Sequence, residues 1–115
     1  MAKLITTAAE RLQILSQYRR IAIVGLSANA FRPSHFAAIY MIAEGYDIIP
    51  VNPRETEILG RKCYPSLLKL AEARPNSVDI VDVFRNPADV PPLVDEAIAI
   101  GAKVLWLQLG VINEA

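Results

Sequence analysis

An α/β fold built on a doubly wound parallel sheet in three layers is what this sequence predicts, on three observations. Hydrophobic residues make up 53% of the 115 residues, a share suited to a sheet buried on both faces. Four short apolar runs, Ile21–Val24, Tyr46–Val51, Val78–Phe84 and Lys103–Leu107, alternate with segments of helical pattern. The first run breaks at Gly25, crosses a polar loop to Arg32 and opens a helix at Pro33 and Ser34. Open α/β sheets use that arrangement to hold an anion, because helix N–H groups and the helix dipole face it there.

Each element has a local cause. Thr7-Ala-Ala-Glu10 has the spacing of a capping box, and Ala8, Leu12 and Leu15 recur at helical intervals, so an amphipathic helix is expected over about residues 7–18. In the next helix Pro33 suits a first-turn position and Ser34 a cap; Phe36, Ile39, Tyr40 and Ala43 make its apolar stripe, and Gly45 stops it. The second strand ends at Asn52-Pro53, completing a βαβ unit. Residues 54–62 read as a loop around Gly60 with room for a short extended piece. Pro65–Glu72 reads as a short helix closed by Pro75-Asn76-Ser77. Asn86-Pro87-Ala-Asp89 starts another helix, and Pro91-Pro92 must fall in its first turn, since an interior proline costs ~3 kcal/mol or more. Leu93, Val94, Ala97 and Ile98 face the sheet, and Gly101 ends the helix. Asn113-Glu114-Ala115 begins a helical pattern that does not continue, so the sheet is expected to lack its last helix–strand unit, with the fourth strand left at an edge. No repeat or linker divides the chain, which reads as one domain over residues 1–115.

Composition narrows the function. Twelve basic and twelve acidic side chains cancel, leaving no field to gather nucleic acid. The single cysteine, Cys63, excludes an intrachain disulfide framework and fits a reducing cytoplasm. No apolar run approaches the ~18 residues of a membrane span. A soluble, cytoplasmic protein with a small-molecule ligand is expected; homo-oligomerisation stays open.

In an open parallel sheet, ligands bind outside the carboxyl ends of the strands. Four segments meet there: Gly25–Ser34, Asn52-Pro53, Phe84-Arg85-Asn86 and Gln108-Leu109-Gly110. Gly25 allows close approach of a phosphate, Ser27 and the N–H groups near Ser34 would donate to it, and Arg32 would add a charge-assisted contact. The loop lacks the repeated glycines of a dinucleotide fingerprint. The second strand ends at neutral Asn52, where an NAD site carries Asp or Glu for the ribose diol. A 3′-phosphorylated ribose suits that position better. No catalytic constellation stands out: the lone His35 has no nucleophile and carboxylate spaced with it, Cys63 reads as a small buried residue, and Asp79 and Asp82 point to opposite strand faces. No cluster has metal-ligand spacing.

Several separated motifs together resemble a known family. Ile21-Ala-Ile-Val-Gly-Leu-Ser27 with Arg32-Pro33-Ser34, Ile49-Pro-Val-Asn-Pro53, Tyr64-Pro65-Ser66-Leu67, Val78 to Arg85 with Asp89-Val-Pro-Pro92, and Glu96 to Lys103 with Trp106-Leu-Gln-Leu-Gly110 are similar to the small stand-alone CoA-binding proteins. Those are relatives of the CoA-binding N-terminal domain of the succinyl-CoA synthetase α subunit. The resemblance implies a Rossmann-like domain that binds coenzyme A or an acyl-CoA without the synthetase's ligase machinery. It implies phosphates and adenosine against Gly25, Leu26, Ser27 and Arg32, with Pro33 and Ser34 opening the helix behind them. Asn52, Pro53, Val83, Phe84 and Arg85 would line the rest, with Gln108 near the mouth. A non-catalytic binding module is the expectation. The alternatives are an NAD(P)- or acyl-CoA-dependent enzyme subunit that needs a partner for catalysis, and an interaction domain with a degenerate nucleotide pocket.

Overall fold

The computed structural model describes residues 3–5, 16–85 and 87–107. Its main sheet is parallel throughout. The strands are β1 (Lys3–Ile5), β2 (Arg20–Val24), β3 (Asp47–Val51), β6 (Ile80–Val83) and β7 (Val104–Leu107), in the spatial order β1-β7-β6-β2-β3. A separate antiparallel pair, β4 (Glu57–Ile58) with β5 (Arg61–Lys62), follows β3. Helix α1 (Pro33–Ala43) joins β2 to β3, α2 (Leu67–Ala73) precedes β6, and α3 (Val90–Ala99) joins β6 to β7 after a 3-10 turn at Pro87–Asp89. This is a Rossmann-like α/β sheet.

Burial on both faces accounts for the continuous apolar runs. Ile21, Ile23, Ile48, Ile80, Val104 and Trp106 form one core with Ala38 and Met41 of α1. Ala22, Val24, Ile49, Val51, Val81, Val83 and Leu105 form the other, against Leu67 and Leu70 of α2 and Ala97 of α3. The sheet is therefore the middle of three layers. Ser66 caps α2 by accepting the Lys69 N–H at 3.1 Å, and Pro91-Pro92 fall in the first turn of α3, where neither needs a backbone donor.

Two expectations are revised, one is sharpened, and one falls mostly outside the described residues. The sheet does not end at β7, because residues 3–5 add a parallel strand beside it, Lys3 opposite Val104 and Ile5 opposite Trp106. Of the expected helix over residues 7–18, residues 16–17 are helical and residues 7–15 lie outside the described residues. The apolar stripe of α1 faces outward: Phe36 is 59% exposed and Tyr40 67%, while Ser34, His35, Ala38 and Met41 are buried. The polar pair can turn inward because the loop before the helix supplies its partners. The segment 54–62, expected as a loop with room for a short extended piece, holds a hairpin that turns at Leu59 (φ +56°) and Gly60 (φ +73°), the two left-handed positions that a type I′ turn needs.

An ion pair ties the amino-terminal edges together. Arg20 donates from Nε and Nη2 to the two carboxylate oxygens of Asp79 at 3.0 and 2.8 Å, and its backbone N–H reaches the same carboxylate at 3.3 Å. The Asp79 carbonyl accepts from the Lys103 and Val104 N–H groups, so β2, β6 and β7 meet at one residue. The Arg20 guanidinium, chiefly through its hydrogen bonds, holds the Asp79 carboxyl below the usual carboxylate range. A carboxyl depressed in the folded state stabilises above its unfolded value near pH ~4 and loses that contribution as pH falls through the folded value. Asp79→Asn should therefore cost about 1–3 kcal/mol at neutral pH. Urea unfolding at stepped pH should show the gap between the two proteins narrowing in acid.

Candidate functional site

The carboxyl ends of β2, β3 and β6 converge, and Gly25 is where they meet. Its N–H donates to the Val51 carbonyl and the Phe84 N–H donates to the Val24 carbonyl, both at 2.9 Å. Gly25 has φ +86°, and a Cβ added there would lie 2.4 Å from the Phe84 carbonyl oxygen and 2.8 Å from Arg85 Cδ. Glycine is required on both counts, conformation and space.

The loop that follows is held by its own polar groups. Ser27 N–H donates to Ser34 Oγ at 3.0 Å, Asn29 N–H to Ser27 Oγ at 3.0 Å, and Phe31 N–H to Asn29 Oδ1 at 2.9 Å. Arg32 N–H closes the turn on the Asn29 carbonyl at 3.1 Å. His35 Nδ1 lies 2.8 Å from the Ser27 carbonyl; a carbonyl only accepts, so the ring proton sits on Nδ1. From the β3 side, Asn52 Nδ2 donates to the Leu26 carbonyl at 3.0 Å while its Oδ1 accepts the Arg54 N–H at 2.8 Å.

Between these segments lies a cavity of about 350 Å³, lined by Gly25, Ser27, Asn29, Arg32, Asn52, Pro53, Arg54, Phe84, Arg85 and Asp89. It occupies the switch point, since β3 and β6 flank β2 on opposite sides. Three guanidinium groups line it against one carboxylate, and Arg85 Nη2 is 3.5 Å from that Asp89 carboxylate. The excess positive charge favours an anion.

Among the residues expected from the sequence, Gly25, Ser27, Arg32, Asn52, Pro53, Phe84 and Arg85 line this cavity. Leu26 and Val83 are buried in the two cores instead, and Leu26 contributes only its carbonyl to Asn52. Ser34 does not cap α1: Arg32 is the N-cap residue, and buried Ser34 receives the Ser27 N–H from inside the helix. Pro33 opens the helix at its exposed first position. Gln108 and Asn86 lie outside the described residues. Asn29, Arg54 and Asp89 line the cavity without having been singled out; Arg54 had a signal, a cation directly after the Asn52-Pro53 turn. His35 lines no part of it and packs under the loop. Burial pushes the Cys63 thiol up, and its Sγ lies 3.5 Å from the Asn52 carbonyl, behind the site. Among the described residues no group of three His, Cys, Asp or Glu could hold a metal ion. None of the described helices is long and apolar enough to cross a membrane.

A parallel α/β sheet with a cationic cavity at its switch point defines a Rossmann-like domain. The chain belongs to the CoA binding domain family, whose sequence pattern it matches over residues 19–115. It is similar to YneT of Bacillus subtilis strain 168, an uncharacterized protein, with 42% identity over 106 residues, 92% of this chain and 76% of that one. Two solved structures are also similar. A hypothetical protein from Pyrococcus horikoshii OT3 is 40% identical with a TM-score of 0.78, over 88% of this chain and 68% of that one. A Thermus thermophilus protein is 36% identical with a TM-score of 0.75, over 89% of this chain and 75% of that one.

Gly25→Ala tests the convergence point. Strain at a left-handed position costs about 1–3 kcal/mol before any clash is counted. The Phe84 carbonyl stands in the way, so the loss of stability in urea should reach or exceed that range.

Proposed function

We propose that this chain binds coenzyme A, free or acylated, and that the Gly25–Ser34 turn seats its phosphates. The observation that carries the reading is the convergence of Arg32, Arg54 and Arg85 on one cavity beside Gly25, in a chain that belongs to the CoA binding domain family. Coenzyme A carries a diphosphate and a 3′-phosphate, and guanidinium groups hold phosphates through paired, charge-assisted hydrogen bonds. The neutral Asn52 supports the same choice. An acid at that position would hold a ribose diol and repel a phosphorylated one.

The loop amides bear on how the phosphates are held. Those of Gly25, Ser27, Asn29, Phe31 and Arg32 are already engaged. The binding contacts then fall to the Ser27 hydroxyl and the guanidinium groups, on a scaffold ordered beforehand. Arg85 exchanges its 3.5 Å contact with Asp89 for a phosphate oxygen.

We assign the chain a single binding unit, without catalysis of its own, working in the cytoplasm to hold or report CoA. The residues of the cavity favour this: it offers cations and one hydroxyl, Ser27, with no histidine among its lining residues to activate that hydroxyl.

Titration calorimetry with CoA, dephospho-CoA and NAD tests the reading. CoA should bind with the highest affinity, dephospho-CoA more weakly for want of the 3′-phosphate, and NAD weakest. Arg32→Ala and Arg85→Ala should each lower CoA affinity roughly tenfold or more, the value of a hydrogen bond to a charged group. Binding of NAD without binding of CoA would falsify the proposal.

A further inference from the structure

Helix α1 turns its apolar side to solvent. Phe36 is 59% exposed, Ile39 46% and Tyr40 67%, and Ala43 is exposed as well. These four fall at i, i+3, i+4 and i+7, so they share one face. Single exposed apolar side chains are ordinary, whereas several on one face form a patch that marks an interaction site. From Pro33 to Ala43 the helix has no Asp, Glu, Lys or Arg, and its one histidine, His35, is buried. A solvated helix face normally carries such charges. This composition belongs to a face that another surface covers.

Charge sits at the two ends instead. Arg32 is the N-cap residue and Glu44 the C-cap residue. Arg32, Phe36, Tyr40 and Glu44 are spaced by four, along one side of the helix. Their order is cation, aromatic, aromatic, anion, and it complements itself when reversed. Two copies laid antiparallel about a two-fold axis near Ala38 bring Arg32 to Glu44 of the partner subunit and Phe36 to Tyr40 of the partner subunit. Symmetry makes each contact twice. A parallel pairing would set like charge against like at both ends. Antiparallel placement also brings the positive end of each helix dipole to the negative end of the other.

The size of the face agrees. An aromatic side chain buries ~150–250 Å². At the exposures given, Phe36, Ile39, Tyr40 and their flanking residues offer roughly 400–500 Å² per chain. Two copies would then cover about 1,000 Å², where specific interfaces begin. A hollow of about 520 Å³ beside the helix, walled by Ala37, Tyr40 and Glu44 and by Arg19, Tyr46 and Trp106, leaves room for an incoming ring.

We propose that α1 is the contact face of a homodimer, in which the helices of two copies pack antiparallel about Ala38. Arg32 also lines the cavity beside Gly25. Its guanidinium presents five donors in a planar fork, enough to meet the partner's Glu44 on one edge and an oxyanion on the other. The seam therefore runs past the mouth of each cavity. The dimer does not depend on the coenzyme A reading.

Sedimentation equilibrium tests it on the wild-type chain and three surface variants. At about 100 μM, above the micromolar end of the affinity range for protein interfaces, wild type should show twice the 12.7 kDa chain mass. Phe36→Glu should raise the dissociation constant roughly tenfold or more, the effect of losing a central aromatic anchor. Glu44→Arg and Arg32→Glu should each be monomeric, because both ends of the seam then repel. Mixed in equal amounts, those two charge variants should form a dimer again, since every end contact becomes a cation with an anion. A monomeric wild type overturns the proposal, and that measurement needs no variant to fold. A dimer indifferent to Phe36→Glu removes α1 from the interface. Charge variants that stay dimeric alone, or stay monomeric when mixed, overturn the antiparallel register.

Discussion

The site depends on a close crossing of backbone at Gly25. Three strands end within hydrogen-bond reach of one another there, pinned by Gly25 to Val51 and by Phe84 to Val24. The space that a side chain would take belongs to the Phe84 carbonyl and the Arg85 side chain. Arg85 owes its place over the cavity to that vacancy. Any side chain at Gly25 would act on β6 as much as on the loop. Fold and site are therefore constrained at the same atoms.

The polar residues beneath the loop set its shape before any ligand arrives. Ser34 and His35 are buried, and each bonds back to Ser27. Asn52 reaches across from β3 to the Leu26 carbonyl. The first of these bonds consumes the Ser27 N–H, a donor that the loop would otherwise offer to an anion. Charge for a ligand is supplied instead by three arginines from three different segments, after β2, β3 and β6. That arrangement is positionally flexible, because long side chains adjust where backbone amides cannot.

Much of the fold could be read from the sequence because a strand buried on both faces is apolar without interruption, as Ile21–Val24 is. Gly25 was readable too, since a glycine between an apolar run and a helix start has few other uses. Helix α1 was not. Its hydrophobic periodicity marks Phe36, Ile39 and Tyr40, and the buried face contains Ser34 and His35, whose partner Ser27 lies seven and eight residues earlier. Periodicity scores a side chain by its own polarity and cannot see a local partner that makes burial tolerable. The β4–β5 hairpin was hidden for a related reason: Leu59 carries a left-handed turn position that usually signals itself with Asn or Asp. Three-residue β1 is too short to show a pattern at all. In the site, the strand-end residues were legible, whereas Asp89 was marked as a helix-entry carboxylate and not as part of the cavity. Its placement follows from where α3 packs.

The pairing of β1 with β7 joins Lys3 to Val104 and Ile5 to Trp106. That contact closes a loop of nearly the whole described chain, while β2 and β3 meet across one short helix. The entropy of closure grows only slowly with loop length, yet a long-range contact must wait until the intervening chain exists and is compact. During synthesis β2, α1 and β3 can assemble as a unit long before β7 leaves the ribosome. The β1 edge can close only once β7 has been made, although Lys3–Ile5 precedes β2 in the chain.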